Sequence, residues 1–91
     1  MTKIINWQTE EVIIEDPNLS LRELAEKAVK EGISLAYADL RYADLSYAEL
    51  YGADFTGADL SYADCRHTYL CGVDLSKTNV TGAELEKAIF Y

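Results

Sequence analysis

From Leu35 to Phe90 a large apolar residue returns at every fifth position: Leu35, Leu40, Leu45, Leu50, Phe55, Leu60, Cys65, Leu70, Leu75, Val80, Leu85 and Phe90. Two positions before each stands a residue that is usually small, Ala38, Ala43, Ala48, Ala53, Ala58, Ala63, Ala83 and Ala88 among them, with polar residues filling the gaps. In an α-helix residues five apart lie about 140° from each other, so this pattern winds round every side and makes no apolar face. In a strand they fall on opposite faces. A chain that runs straight for a few residues, bends through about a quarter-turn and does so four times meets the pattern. Every fifth residue then points to one axis, and residues twenty apart stack at the strand spacing of about 4.8 Å with backbone hydrogen bonds between coils. Twelve such sides, at four per coil, make three coils.

The first 32 residues follow other rules. "KIIN" and "EVIIE" read as short strands joined in a hairpin through Gln8 to Glu11. Ser20 and Glu23 have the spacing of a capping box, Leu19 and Leu24 that of a hydrophobic staple, and Gly32 suits the residue past a helix end. The predicted helix spans Leu21 to Glu31 and carries one apolar stripe, Leu21, Leu24, Ala25, Ala28 and Val29, suited to covering the first coil. The division is therefore a strand and helix cap over 1–32 and a repeat solenoid over 33–91. At the far end "KAIFY" points Phe90 inward and Ile89 and Tyr91 outward with no lid, and a homodimer through the C-terminal coil is expected to cover it.

Charge narrows the function. Sixteen acids against eight bases give a formal net charge of −8 in 91 residues, which argues against direct binding of nucleic acid or an anionic membrane. There is no apolar run of membrane-spanning length and no basic-then-apolar leader pattern, so a cytoplasmic location is expected. Stacking at twenty residues ranks the position before each apolar residue into columns: Asp39, Asp59 and Asn79; Asp44, Asp64 and Glu84; Ser34, Asp54 and Asp74; and Glu49, Tyr69 and Ile89. Between 38 and 64 six of these acids face Arg41 alone. The fourth column turns apolar beside Tyr51, Cys71 and Tyr91, which makes that side a candidate contact surface. Tyr37, Tyr42, Tyr47 and Tyr62 are expected to lie flat across coil corners. Cys65 points inward and Cys71 outward on the next side, so neither a disulfide nor a metal site is expected of them. His67 is the lone histidine, with no nucleophile and base set around it, so neither a cofactor nor catalysis is expected.

The stretch "ADLRYADLSYAELYGADFTGADLSYADC" resembles the A-(D/N)-L-x-x unit of pentapeptide repeat proteins. The resemblance runs from Ile33 to Tyr91, with departures at "TYLCG", "TNVTG" and the final "AIF". It implies an all-β solenoid, a right-handed quadrilateral β-helix, and a strand and helix segment ahead of the repeats is also common in the family. In this family an Asp before each Leu serves the turns. Some members, including quinolone-resistance proteins, are understood as DNA mimics that occupy the DNA site of topoisomerases, and others are carried by phages. By that resemblance Asp39, Asp44, Glu49, Asp54, Asp59, Asp64, Asp74 and Glu84 would face a nucleic-acid-binding protein such as DNA gyrase or the target of a phage anti-CRISPR. The alternative is an interaction module using Tyr51, Tyr69, Cys71, Ile89, Phe90 and Tyr91, also the candidate dimer contacts. Three coils span only about 14 Å, roughly four base-pair steps of duplex. That is short for a topoisomerase gate, and a narrower channel in a defence nuclease fits as well.

Overall fold

A computed structural model describes residues 2–91. Strand β1, Thr2–Ile5, pairs antiparallel with β2, Val12–Asp16, bringing Ile4 opposite Ile14, with a slip in register between Ile4 and Ile5. Asn6 organises the connection: its side-chain oxygen accepts the N–H groups of Gln8 and Thr9, and its carbonyl accepts that of Glu10. Helix α1, Leu21–Lys30, stops one residue short of the expected span because Glu31 is its cap. Both halves of the capping box form: the Ser20 hydroxyl accepts the Glu23 N–H at 3.2 Å, and the Glu23 carboxylate accepts the Ser20 N–H at 2.9 Å. At the other end Gly32, at φ +73°, and Ile33 donate to the carbonyls of Val29 and Ala28. Leu24, Ala25 and Ala28 are buried, and Leu21 and Val29 half-buried.

The repeats are a chain of β-turns. Each closes when the small residue donates to the apolar residue three before it, as Ala38 to Leu35, Ala43 to Leu40 and Ala48 to Leu45. Between turns the strands are too short to be more than bridges, and these pair residues twenty apart in parallel: Asp39, Asp59 and Asn79; Asp44, Asp64 and Glu84; Glu49, Tyr69 and Ile89. One side departs from the expectation of backbone bonding all round. Ser34, Asp54 and Asp74 form no bridge, and among the described residues no backbone hydrogen bond joins 33–35 to 53–55 or 53–55 to 73–75. The residues on this side are the bulkiest of the repeats: Ile33 and Val73 occupy positions that are alanine or threonine on the bridged sides, and the largest of the fully buried side chains, Phe55, lies on the same side.

The cap supplies upper neighbours that the first coil lacks. Ile5 accepts the Asp39 N–H, Trp7 donates to the Tyr37 carbonyl, and Asn6 bridges Ala38. On another side the Glu26 carboxylate of α1 accepts the Glu49 N–H at 2.8 Å. Beneath this lid Leu35, Leu40, Leu45, Leu50, Phe55, Leu60, Cys65 and Leu70 are at most 1 % exposed. Burial of each such leucine is worth about 1.5–3 kcal/mol. Leu75, Val80 and Leu85 are only half-buried, and Phe90, expected to point inward, is 48 % exposed because no coil lies over it. No helix of the described residues is long and apolar enough to cross a membrane.

Candidate functional site: an acidic surface with an aromatic border

Every aspartate of the columns makes a bond within its own turn. The carboxylates of Asp39, Asp44, Asp54, Asp59, Asp64 and Asp74 each accept the N–H two residues on, from Arg41, Ser46, Thr56, Ser61, Arg66 and Ser76, at 2.9–3.3 Å. Asn79 does the same for Thr81, so the bond needs the side-chain oxygen and not the charge. The turn thus pins each carboxylate at the repeat spacing.

At Asp39, Asp44, Asp54, Asp64 and Asp74 such bonds also favour the ionised form. Asp44 is kept below the ordinary carboxylate range by the hydroxyl and N–H of Ser46, Asp54 by the Thr56 N–H and Asp74 by the Ser76 N–H. Asp39 and Asp64 are lowered chiefly by forked bonds from Arg41 and Arg66, at 2.8–3.1 Å. Arg66 lies two residues beyond the stretch in which Arg41 is the only base, and it turns back onto Asp64 and onto Glu84 at 3.4 Å. Two columns are therefore part-neutralised. Of the eight predicted acids, Asp39, Asp59 and Asp64 are half-buried, whereas Asp44, Glu49, Asp54, Asp74 and Glu84 are exposed.

The aromatic border forms where Tyr51 stacks on Tyr69, ring centroids 5.7 Å apart. Tyr51 is half-exposed, Tyr69, Cys71 and Ile89 are half-buried, and Phe90 and Tyr91 are exposed. Loss of hydration, then Glu49, raises the Tyr51 phenol above its ordinary pKa. Cys65 sits in the core, where burial pushes its thiol up to about 11, and both cysteines are free.

The corner tyrosines do lie flat. Tyr42 stacks on Tyr62 at 5.3 Å and Tyr47 on His67 at 4.7 Å, while Tyr37 covers Gly57 and Tyr62 covers Gly82 so closely that an added Cβ would meet the rings at 2.5 and 2.6 Å. Unforeseen was their backbone: Tyr37, Tyr42, Tyr47 and Tyr62 take φ of 60–62°, in the left-handed region. The sequence does carry a signal, since Gly52, Gly57, Gly72 and Gly82 occupy the same repeat position. Also missed was Trp7, whose indole N–H donates to the Gly57 carbonyl at 2.7 Å and whose ring tilts against Tyr37.

The family model described as pentapeptide repeats, in eight copies, matches residues 31–61 and 53–90. Comparison with curated proteins finds no match.

Proposed function

Because the chain belongs to the pentapeptide repeat family, whose repeats often serve as protein–protein interaction modules, we propose that it is a non-catalytic inhibitor whose acidic surface takes the place of nucleic acid on a nucleic-acid-binding protein. The observation that carries this reading is the fixing of the carboxylates: turn bonds hold Asp44, Asp54 and Asp74 ionised and exposed on a chain of net charge −8. A surface built to bind many phosphates accepts such an array. In the right-handed, four-sided winding expected of the family the columns run along the stacking axis. A second copy, joined at the face of Leu75, Val80, Leu85 and Phe90, doubles the length of the stack, and light scattering that reports a monomer at tens of micromolar removes this dimer.

A second reading is favoured by the half-exposed Tyr51–Tyr69 stack, which suits a conventional protein contact. Two variants separate the readings. Asp44→Asn, Asp64→Asn and Glu84→Gln together remove three charges and keep the turns, as Asn79 does; Tyr51→Ala and Tyr69→Ala remove the stack. Binding to immobilised nucleic-acid-binding proteins, a type II topoisomerase among them, should fall only for the first variant, weaken steeply with salt and yield to competing duplex DNA. A salt-insensitive complex lost only with the tyrosines would instead establish the second reading.

A further inference from the structure

The seam opens into a cleft. Between the end of α1 and the first two coils lies a space of about 320 Å³ lined by Val29, Ile33, Ser34, Tyr51, Ala53 and Asp54, with Gly32 and Gly52 at its rim. Its chemistry converges on one kind of guest. Val29, Ile33 and Ala53 make an apolar floor, and the half-exposed Tyr51 offers a ring. Asp54 has no basic partner among the described residues; one of its oxygens accepts the Thr56 N–H, and the other lies 3.4 Å from the Ser34 hydroxyl with capacity to spare.

Two further features favour positive charge there. The C-terminal end of α1, the negative end of its dipole, borders the cleft through Val29 and Gly32. Because the coils part here, the carbonyl of Ile33 accepts no backbone N–H, whereas the corresponding carbonyls of Ala38, Ala43 and Ala48 accept those of Asp59, Asp64 and Tyr69. The cleft therefore brings together a spare carbonyl, a carboxylate, an aromatic ring and apolar side chains.

We infer that this cleft receives one arginine side chain of a basic protein partner, its methylenes on Val29 and Ile33 and its guanidinium flat against Tyr51 while donating to Asp54. Arginine suits it better than lysine. The guanidinium is planar, stacks on aromatic rings and carries five donors with no acceptor, whereas an ammonium is a compact, strongly hydrated charge. The inference rests on the charge-led reading above and supplies what the columns lack, a shaped pocket that fixes register on a partner.

The test uses single amino acids as probes. Amide NMR of the full chain, titrated with N-acetyl-L-argininamide, should show saturable shifts confined to 29–34 and 51–54. The lysine analogue should bind more weakly, and the citrulline analogue, nearly the same shape without charge, should not bind. Asp54→Asn retains the turn bond and should weaken the arginine probe by about fivefold, as loss of one solvent-accessible charge pair does. Tyr51→Leu should remove the preference for arginine over lysine. No saturation at tens of millimolar, shifts spread equally over Asp44, Asp64 and Asp74, or equal binding of arginine and citrulline would overturn the assignment. These outcomes are independent of the protein target: a partner that still binds the triple Asn/Gln variant removes the acidic-surface reading and leaves the titration unaffected.

Discussion

The first and last coils are written in nearly the same repeat, yet they do not have the same interior. Leu35, Leu40, Leu45 and Leu50 lie under the hairpin and α1 and are at most 1 % exposed, whereas Leu75, Val80 and Leu85 are half-buried and Phe90 is 48 % exposed. A solenoid coil buries its inward residues only between two neighbours, so position in the stack, more than residue identity, sets what each contributes. The cap works because it imitates a coil. Ile5 and Glu26 accept N–H groups of Asp39 and Glu49 that a preceding coil would otherwise take, and Ile4, Leu24, Ala25 and Ala28 complete the upper core.

Two phenylalanines at the same repeat position give the widest contrast. Phe55→Ala should cost about 3–5 kcal/mol, since a fully buried ring leaves a cavity between coils on both sides. Phe90→Ala should cost at most about 1 kcal/mol in a monomer. Urea unfolding midpoints measure both, and equal losses would mean that the last coil is covered in solution. If a second copy covers it, the Phe90 loss will grow with protein concentration.

Two threonines at the same corner position repeat the contrast on a smaller scale. Thr68 is fully buried and its hydroxyl donates to the Leu45 carbonyl at 2.7 Å; Thr78 is half-buried and donates to the Phe55 carbonyl at 2.9 Å. Thr68→Val should lose about 1 kcal/mol and Thr78→Val clearly less, because water reaches the second site. Thermal melts of the two variants decide it, and a larger loss at Thr78 would contradict the open-end account.

The axial apolar series, the helix caps and the stacking at twenty residues were legible because each rests on a spacing that only one geometry satisfies. The seam was not. Ile33 and Val73 satisfy the apolar pattern as well as alanine does, and a pattern of polarity does not record how side-chain volumes add up along one side of the stack. Nor was the arginine shielding readable from a charge count, since Arg41 and Arg66 fold back onto aspartates two residues earlier. Of the candidate site, the columns were visible, while the cleft at Asp54 follows from the seam and so remained hidden with it.

Acid separates two of those aspartates by a smaller margin. Asp39 and Asp74 both have lowered carboxyl pKa values in the folded chain, Asp39 mainly through Arg41 and Asp74 through the Ser76 N–H. A carboxyl lowered by folding stabilises the native state above its unfolded value of about 3.9, and that stability is lost as pH falls through the folded value. Stability should therefore fall below about pH 4 and be level, as far as these groups go, above about pH 5. Asp39→Asn should blunt this acid loss and lower stability at pH 7 by a few tenths of a kcal/mol, in the range of an exposed ion pair. Chemical denaturation at pH 3 and pH 7 tests the sign, and an Asp39→Asn protein that loses more stability in acid than the parent would refute it.

The smallest effect expected comes from opposing terms at a corner. Tyr42 sits at φ 61° and stacks on Tyr62 with the rings only 11° from parallel. Holding a residue other than glycine in this region costs roughly 1–2 kcal/mol, which Tyr42→Gly would relieve. The same change gives up a ring contact worth about 0.5–1.5 kcal/mol and adds glycine's extra unfolded-state freedom, roughly 0.5–1 kcal/mol. The terms nearly cancel, so the midpoint in urea should move little. A gain above about 1 kcal/mol would mean that backbone strain outweighs the ring at these corners; a loss above about 2 kcal/mol would make the tyrosine ladder, with the apolar axis, a principal bond between coils.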